Sequence, residues 1–388
     1  MEKDRLQYWQ VGSSGGRLAM AITHVLLLAG SPEELCMHNL SLRYTRDCLD
    51  ALQGLDGFSF HLAVVQPDGM WRFTDRDKGH DLPLSEPISR LAARERLENG
   101  NYDLAIPQLF CRSGMTEYRA LLDHLRIPFI GNTSHVMGIT ANKATTKQIV
   151  ARAGVPVPSH RVMRAPDLER LTPPFIVKPN DSDNSFGVTL VRRRSELTSA
   201  FAAAREHSTC VLAEQYIPAG REVRCGIIDH NGALTCLPLQ EYPLNDEHSI
   251  RMTEDKLVIS ESKEVDLASK YDSRAVSVPV NDQITQAVWR MAKRCHRALD
   301  CRDYSLFDFR IDPHGTPYFM EAGLYCSFAP KSILTLMTKE HGIDLETFFR
   351  KMAGQAIRRH QRTPSYDTLQ YKRRGLGVGH NELSKQET

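Results

Sequence analysis

The sequence predicts an α/β chain that continues into mixed strand-and-helix lobes. Three observations carry that prediction. Apolar runs of strand length end at glycines or polar turns. Amphipathic segments at helical spacing separate them up to about residue 135, as in a parallel sheet covered by helices. Beyond that point the apolar runs come in pairs joined by short turns, with helical segments between the pairs.

Taken in order, residues 1–22 end in VGSSGGR and read as an extension before the first domain. THVLLLAG (23–30) is a buried strand closed by a glycine, and SLRYTRDCLDAL has helical spacing. FSFHLAVVQPDGMW gives a strand, a turn and a return. YDLAIPQLF is a strand, MTEYRALLDHLRI an amphipathic helix and PFIG a short strand. NKATTKQIVARAGVPVPSHRVM is a helix stopped at glycine and followed by a strand. PPFIVKPNDSDNSFGVTLV and STCVLAEQYIPAGREVRCGIID each read strand, turn, strand. Residues 240–275 are polar and weakly patterned, and read as a long loop over a site. QITQAVWRMAKRCHRALDC repeats Ile284, Val288, Met291, Cys295 and Leu299 at helical spacing. SLFDFRIDPHGTPYFMEAG is a hairpin, a helix follows from about 343 to 359, and the polar tail from Arg362 reads as disordered.

The 388 residues suffice for two or three domains. A hydrophobic fraction of 41% and a net charge of +2 suit a globular protein, with no field to draw nucleic acid or a membrane surface. No apolar run approaches the roughly 20 residues of a membrane span. The charged start MEKDRLQYWQ does not read as a signal peptide. Nine scattered cysteines, with no Cys-x-x-Cys pair, fit free thiols in a cytoplasmic setting.

The hairpin poses the chemical question. Taking Pro313–Thr316 as a four-residue turn pairs Asp312 with Pro317 and sets Asp308 opposite Glu321. Phe307, Phe309 and Ile311 then share a core face with Ala322, Met320 and Tyr318, while Asp308, Arg310, Asp312 and Glu321 share the other. Carboxylates across a strand pair lie about 5 Å apart and repel unless a cation sits between them. Oxygen donors alone suit Mg²⁺ or Mn²⁺, and Mg²⁺ normally shares its site with phosphates. The alternative is a solvated face with one carboxylate paired to Arg310. Lys178, at the mouth of the polar loop NDSDNSFGV, and Lys143, at a helix start, are cations for such phosphates. Taken singly, each such lysine is more often just solvated. Glu214 and Ile217, at the end of VLAEQYI, combine the polar group and apolar wall that an adenine ring needs.

In this order, Lys143, VKP…SFGV, VLAEQYIPAGREV and CRDYSLFDFRID…EAG resemble the ATP-grasp ligases of the D-alanine–D-alanine ligase family. The resemblance runs from about residue 104 to 355, and more weakly from 23. It implies an ATP-grasp fold, with an N-terminal α/β domain (23–138) and two α+β lobes (139–216 and 217–361) enclosing ATP, before a tail at 362–388. It implies that Lys143, Lys178, Ser185 and Lys270 meet the phosphates. Glu214 and the backbone near Ile217 would hold adenine, and Glu222 the ribose. Asp308 and Glu321 would hold Mg²⁺ or Mn²⁺, and Lys331 and Ser332 the carboxylate of the incoming amino acid. In the implied chemistry a substrate carboxylate takes the γ-phosphoryl group, and an amino acid amine then displaces phosphate. Relatives are commonly dimers, so the implied partners are small-molecule substrates and a second copy of the chain.

Several positions depart from the family pattern. Leu306 stands where the family carries a transition-state arginine, two residues before the metal aspartate. Arg310, two residues after it on the same face, is the candidate catalytic replacement, with pairing to Asp312 or Glu321 as its alternative role. Gly323 replaces an asparagine that supplies a further metal oxygen, for which Asp312 or water would substitute. The His-Gly and Glu-Asp-Gly elements are absent from LFCRSGMTEYRAL. Asn184 and Ser185 replace paired serines, and the first-loop glutamate falls among Glu33, Glu34 and His38. Together LFCRSGMTEYRALLD, PNDSDNSFGV, CRDYSLFDFR and LYCSFAPKS are similar to the mycosporine-glycine ligases. These join mycosporine-glycine to an amino acid such as serine or threonine through a C=N bond. On that resemblance the donor is a vinylogous acid whose ring oxygen is phosphorylated and then displaced. A dipeptide or other carboxylate–amine ligase is the alternative. A non-catalytic ATP-binding relative is a third reading, since Gly323 and Leu306 both replace reactive-site residues.

Overall fold

The computed structural model describes residues 22–74, 84–166, 172–218, 220–244, 249–251, 257–259, 265–267 and 275–362. Lys270, the extension up to residue 21 and the tail from 363 lie outside the described residues.

The first sheet holds β1 (Thr23–Gly30), β2 (Phe58–Val65), β3 (Trp71–Phe73) and β4 (Leu104–Pro107) in the order β3-β2-β1-β4. β1 runs parallel to both neighbours. Its unbroken apolar run is explained by burial on both sides. Leu26 and Leu28 face a cluster with Ala93, Leu97, Tyr118 and Leu122 from the helices Arg90–Glu98 and Glu117–His124. Val25 and Leu27 face Cys48 and Leu52 of the helix Leu35–Leu52, and Phe348, Phe349 and Met352 of the helix Leu345–Arg362. Gly30 is required where β1 ends: its φ is +95°, and a Cβ there would lie 2.0 Å from the Val65 carbonyl oxygen.

The second sheet is antiparallel: β5 (His160–Met163), β6 (Phe175–Pro179), β7 (Thr189–Val191) and β8 (Val211–Gln215), ordered β5-β8-β6-β7. The helix Leu197–His207 covers one face, where Phe175, Val177, Val211 and Ala213 pack on Leu197, Ala200 and Ala204. Strand alternation leaves Ile176, Lys178, Leu212 and Glu214 on the other face.

The third sheet holds β9 (Arg221–His230), β10 (Ala233–Cys236), β11 (Gln240–Tyr242), β14 (Val276–Ser277), β15 (Tyr304–Ile311) and β16 (Pro317–Ala322). One face, with Val223, Cys225, Phe307, Phe309 and Phe319, is covered by the helices Gln283–Ala298 and Lys143–Arg152. On the long helix Ile284, Val288, Cys295 and Leu299 are buried as their spacing predicts, while Met291 is half-buried. The other face is split: Ile228, Tyr304 and Leu306 join Leu334 and Met337 in apolar packing, and the remainder is charged.

Four expectations change. The helix read over 115–127 is shorter, Glu117–His124, and Thr116 (φ −113°, ψ −73°) separates it from a preceding short helix, Arg112–Met115. PFIG makes only a bridge between Phe129 and Ala105 rather than a strand. Within 240–275, β11 is followed by an antiparallel pair, β12 (Leu257–Ile259) with β13 (Val265–Leu267), so that stretch is not a plain loop.

The hairpin is the fourth. Ile311, not Asp312, pairs with Pro317, which makes the turn one residue longer, on the β15 side, than read from the sequence. Asp312 accepts from the backbone N–H of His314 (2.9 Å) and Thr316 (2.8 Å) and is spent on that turn. A bulge between Asp308 and Phe309 then restores the pairing of Asp308 with Glu321. In consequence Phe319, rather than Met320 or Tyr318, is the buried partner of Phe307 and Phe309.

One buried carboxylate ties these parts together. Asp303 accepts from Arg359 Nη1 (2.7 Å) and Nη2 (3.1 Å), Gln355 Nε2 (2.9 Å) and the Gly131 N–H (2.7 Å). It joins the start of β15 to the C-terminal helix and to the chain leaving the first sheet. Asp303→Ala leaves Arg359 and Gln355 without this partner and is expected to lower unfolding free energy by about 3 kcal/mol. Asp303→Asn is expected to lose less, and urea unfolding of both variants measures the difference.

Candidate active site

The charged half of the third sheet faces the side of the second that carries Lys178 and Glu214. Register explains its chemistry. β15 pairs with β9 so that Asp308 lies beside Arg224 and Arg310 beside Glu222, while β16 sets Glu321 beside Asp308. Alternation puts all five side chains on one face.

Each carboxylate there has a cationic partner. Arg224 grips Asp308 in a two-point contact, through Nε to Oδ1 and through Nη2 to Oδ2 (2.5 Å). Burial opposes the charge on Arg224, but Asp308 holds its pKa well above the usual guanidinium value. Glu321 lies 3.7 Å from Lys143 Nζ, which also bonds the Ser182 carbonyl and lies 3.9 Å from Asp183. Glu222 is 3.7 Å from Arg310 and 3.6 Å from Arg251. Arg310 is buried. It donates to Tyr216 Oη (3.4 Å) and the Ser249 carbonyl (2.6 Å), sits over the Tyr216 ring, and leaves its Nε without a hydrogen-bond partner among the described residues. Its carboxylate partner is thus Glu222, not Asp312 or Glu321. Leu306, on the same sheet face, is turned into the apolar packing with Leu334.

On the facing sheet, Glu214 is completely buried between two lysines. Its Oε1 accepts from Lys178 (3.1 Å), and its Oε2 is 3.2 Å from Lys147 Nζ and 3.0 Å from Lys178 Nζ. Burial pushes the Glu214 carboxyl up, but the two lysines outweigh it and hold it below the usual range. Burial pulls the Lys147 ammonium down to about 8, against the opposing effect of Glu214. Lys147 also donates to the carbonyls of Phe319 (3.2 Å) and Met320 (2.5 Å), which pins the helix Lys143–Arg152 to β16. Two buried ammonium groups thus share one carboxylate, and a positive charge is left over. Buried lysines are rare unless paired, so an anion is the natural complement.

The loop after Lys178 closes the cleft. Asn184 and Ser185 have φ of 57° and 62°, and Ser185 Oγ donates to the Arg251 carbonyl (2.9 Å). Arg251 stacks on Tyr242 at 3.5 Å. Asp183 accepts from Tyr325 Oη (2.9 Å), whose pKa is raised by burial and then by Asp183. Towards the first domain, Arg112 Nη1 pairs with Asp181 (3.1 Å), and Glu33 accepts from the N–H groups of Arg112 (3.2 Å) and Ser113 (2.7 Å). Of Glu33, Glu34 and His38, Glu33 is therefore the one holding the loop at this edge; His38 is buried against the Val65 carbonyl.

The structure brings Lys143, Lys178, Ser185, Glu214, Glu222, Asp308, Arg310 and Glu321 to this cleft. Ile217 is buried at its edge. Ser332 is buried at the head of the helix Ile333–Glu340 beside Cys326, and Lys331 is exposed. Three cations went unread: Lys147, Arg224 and Arg251. Lys147 is four residues after Lys143, on the same helix face, and Arg224 is two after Glu222, on the same strand face. Those spacings were the available signal. Arg251 had none.

The donor set tests which groups this cleft fits. Two cross-strand carboxylates offer oxygen alone, which suits a hard divalent cation. No cluster of three or more His, Cys, Asp or Glu side chains is placed to hold a metal among the described residues. The surplus lysine charge and the unpartnered Arg310 Nε suit the anionic and polar groups of a nucleotide.

A sheet carrying Lys178 and Glu214 thus opposes a sheet carrying the carboxylate pair, with Lys147 of a helix between them, in a chain whose similarities to known proteins mark it as an ATP-grasp ligase, an ATP-dependent enzyme that forms C–N bonds. Residues 149–353 match the family model described as the C-terminus of D-ala D-ala ligase. A D-alanine–D-alanine ligase of Mycolicibacterium gilvum is 30% identical over 358 residues, covering 82% of this chain and 95% of the relative. One from Mycobacterium avium is 28% identical over 346 residues, covering 79% and 90%. Among solved structures, a D-Ala:D-Ser ligase of Enterococcus faecalis superposes with a TM-score of 0.68 at 19% identity, covering 86% of this chain and 99% of that one. A D-alanine–D-alanine ligase of Bacillus anthracis, solved with ATP, gives 0.64 at 18% identity, covering 88% and 98%. The chain belongs to the D-alanine–D-alanine ligase family, whose members use ATP with Mg²⁺. No helix among the described residues is long and apolar enough to cross a membrane.

Two substitutions probe this geometry. Glu214→Ala strands Lys147 and Lys178 and is expected to cost about 3 kcal/mol or more of stability. Calorimetry checks it, with Glu214→Gln as the milder case. At Gly323 an added Cβ meets nothing within 4 Å. Gly323→Asn is therefore expected to fold with an unchanged melting temperature.

Proposed function

We propose that this protein is an ATP- and Mg²⁺-dependent ligase that activates a carboxylate as its acyl phosphate and joins it to the amine of an amino acid. The observation that carries this reading is the opposition of Lys147 and Lys178, with their surplus charge, to the Asp308–Glu321 pair. One side is built for phosphate and the other for the cation that travels with it.

The roles divide along that line. Lys143 and Lys178 take phosphate oxygens, with the Ser185 loop folded over them. Glu222 orients the ribose, and the edge at Glu214 and Ile217 receives the adenine. Asp308 and Glu321 hold the divalent cation, which screens the phosphates when bound. Arg310, whose free Nε points to an incomplete hydrogen-bond set, steadies charge on the transferring group. Lys331 and Ser332 receive the carboxylate of the incoming amino acid. Lobes at 139–216 and 217–361 enclose this site, after a domain at 23–138. Nine free cysteines suit a reducing, cytoplasmic setting.

A second reading concerns the donor. Leu40 packs with Met37, Tyr44, Phe110 and Phe186 where the first domain meets the phosphate loop, and Tyr325 sets its edge on Phe110 at 5.6 Å. Were the donor seated against these side chains, their aromatic faces would favour a flat ring over an alanine side chain, and so a cyclic vinylogous acid such as mycosporine-glycine.

The assay is phosphate release from Mg-ATP with D-alanine alone, and with mycosporine-glycine plus serine or threonine. Release with D-alanine alone supports the carboxylate reading and removes the ring donor. Release that needs the ring acid does the reverse. No release with any pair leaves a non-catalytic nucleotide binder. Asp308→Asn is expected to reduce turnover at least about 100-fold, and retained Mg²⁺-dependent activity in that variant would overturn the metal assignment.

A further inference from the structure

The two-point contact between Arg224 and Asp308 has no part in the roles assigned above. It is not a surface ion pair: the side chains are 15% and 10% exposed, and they are direct cross-strand neighbours in a regular antiparallel ladder. Tyr242 lies over the same guanidinium at 5.5 Å. Both Asp308 oxygens are engaged by the fork, in the geometry that guanidinium and carboxylate prefer.

Set beside it, the rest of the donor set is thin. Mg²⁺ requires about six oxygens in octahedral array. The protein offers two carboxylates here, and one already has both oxygens taken. Gly323 offers no side-chain oxygen, and Asp312 is occupied by its turn. Meanwhile Arg224, Arg310 and Lys143 already bring positive charge to the carboxylates on this face. A second divalent ion would find few ligands and strong repulsion.

We propose that Arg224 is a positioning residue that holds Asp308 as a partly engaged metal ligand and supplies a fixed positive charge in place of a second divalent cation, so that the site works with one metal ion per chain. This rests on the ligase reading above. Such an ion would have Glu321 and Asp308, the latter shared with the guanidinium, as its protein ligands, and phosphate oxygens and water would complete its shell. A guanidinium stays charged at every working pH, and its charge does not depend on metal concentration.

The test is Mn²⁺ binding to the full chain with a saturating non-hydrolysable ATP analogue, with free Mn²⁺ counted by electron paramagnetic resonance. Wild type is expected to bind one Mn²⁺ per chain. Arg224→Met frees Asp308 and removes a neighbouring positive charge, and is expected to tighten Mn²⁺ binding about 10-fold, while turnover falls about 100-fold. Arg224→Lys keeps the charge but not the fork. It is expected to recover most of the turnover, with Mn²⁺ affinity between the two. A salt bridge that only holds strands together would not change the metal count or affinity. If Arg224→Met does not fold, the lysine variant decides: tighter Mn²⁺ than wild type supports the assignment, and wild-type affinity overturns it. Analogue binding with two Mn²⁺ per wild-type chain overturns this assignment and leaves the ligase reading intact. Failure of wild type to bind the analogue at all removes both.

Discussion

Glu214, buried between Lys147 and Lys178, is the contact on which the cleft depends. Lys147 comes from a helix packed under the third sheet, while Lys178 and Glu214 come from adjacent strands of the second. Because Lys147 also bonds two carbonyls of β16, one cluster of charges fixes the distance between the sheets. Charge so deeply buried costs desolvation that a single carboxylate does not fully offset. The arrangement leaves positive charge that an anion would complement, and the same interaction sets the geometry of the cleft.

Across the cleft, function depends on register more than on composition. A one-residue slip turns every side chain to the opposite face. Here the longer turn would have separated Asp308 from Glu321, and the bulge restores them. The pairing read from the sequence was right at the two carboxylates and wrong at the turn, because a bulge leaves no mark in hydrophobic alternation. Asp312 shows the cost: it looked like a spare ligand and is a turn residue.

The aromatic cluster at the edge of the cleft follows a different logic. Its side chains are drawn from the helix Leu35–Leu52, from Phe110 after β4, from Phe186 in the loop after Lys178 and from Tyr325 after β16. These positions are far apart in the chain, and none has a periodic signature. Glu33 and Arg112, which fasten the edge of this region, are likewise brought together only by the meeting of sheets.

The sequence by itself determined the order of strands and helices, the lysines at 143 and 178, and the carboxylates at 308 and 321. Those are local facts: alternation, helical spacing and the residues at strand ends. Even Lys147 and Arg224 lay within reach, since each repeats the face of a residue already chosen. Tertiary structure alone decided how the charges are paired. Arg224 closes on Asp308, Arg310 turns to Glu222, and Arg251 arrives from a separate segment to reach the same glutamate. Pairing depends on which strands lie side by side, a long-range outcome of packing that no short window of sequence contains.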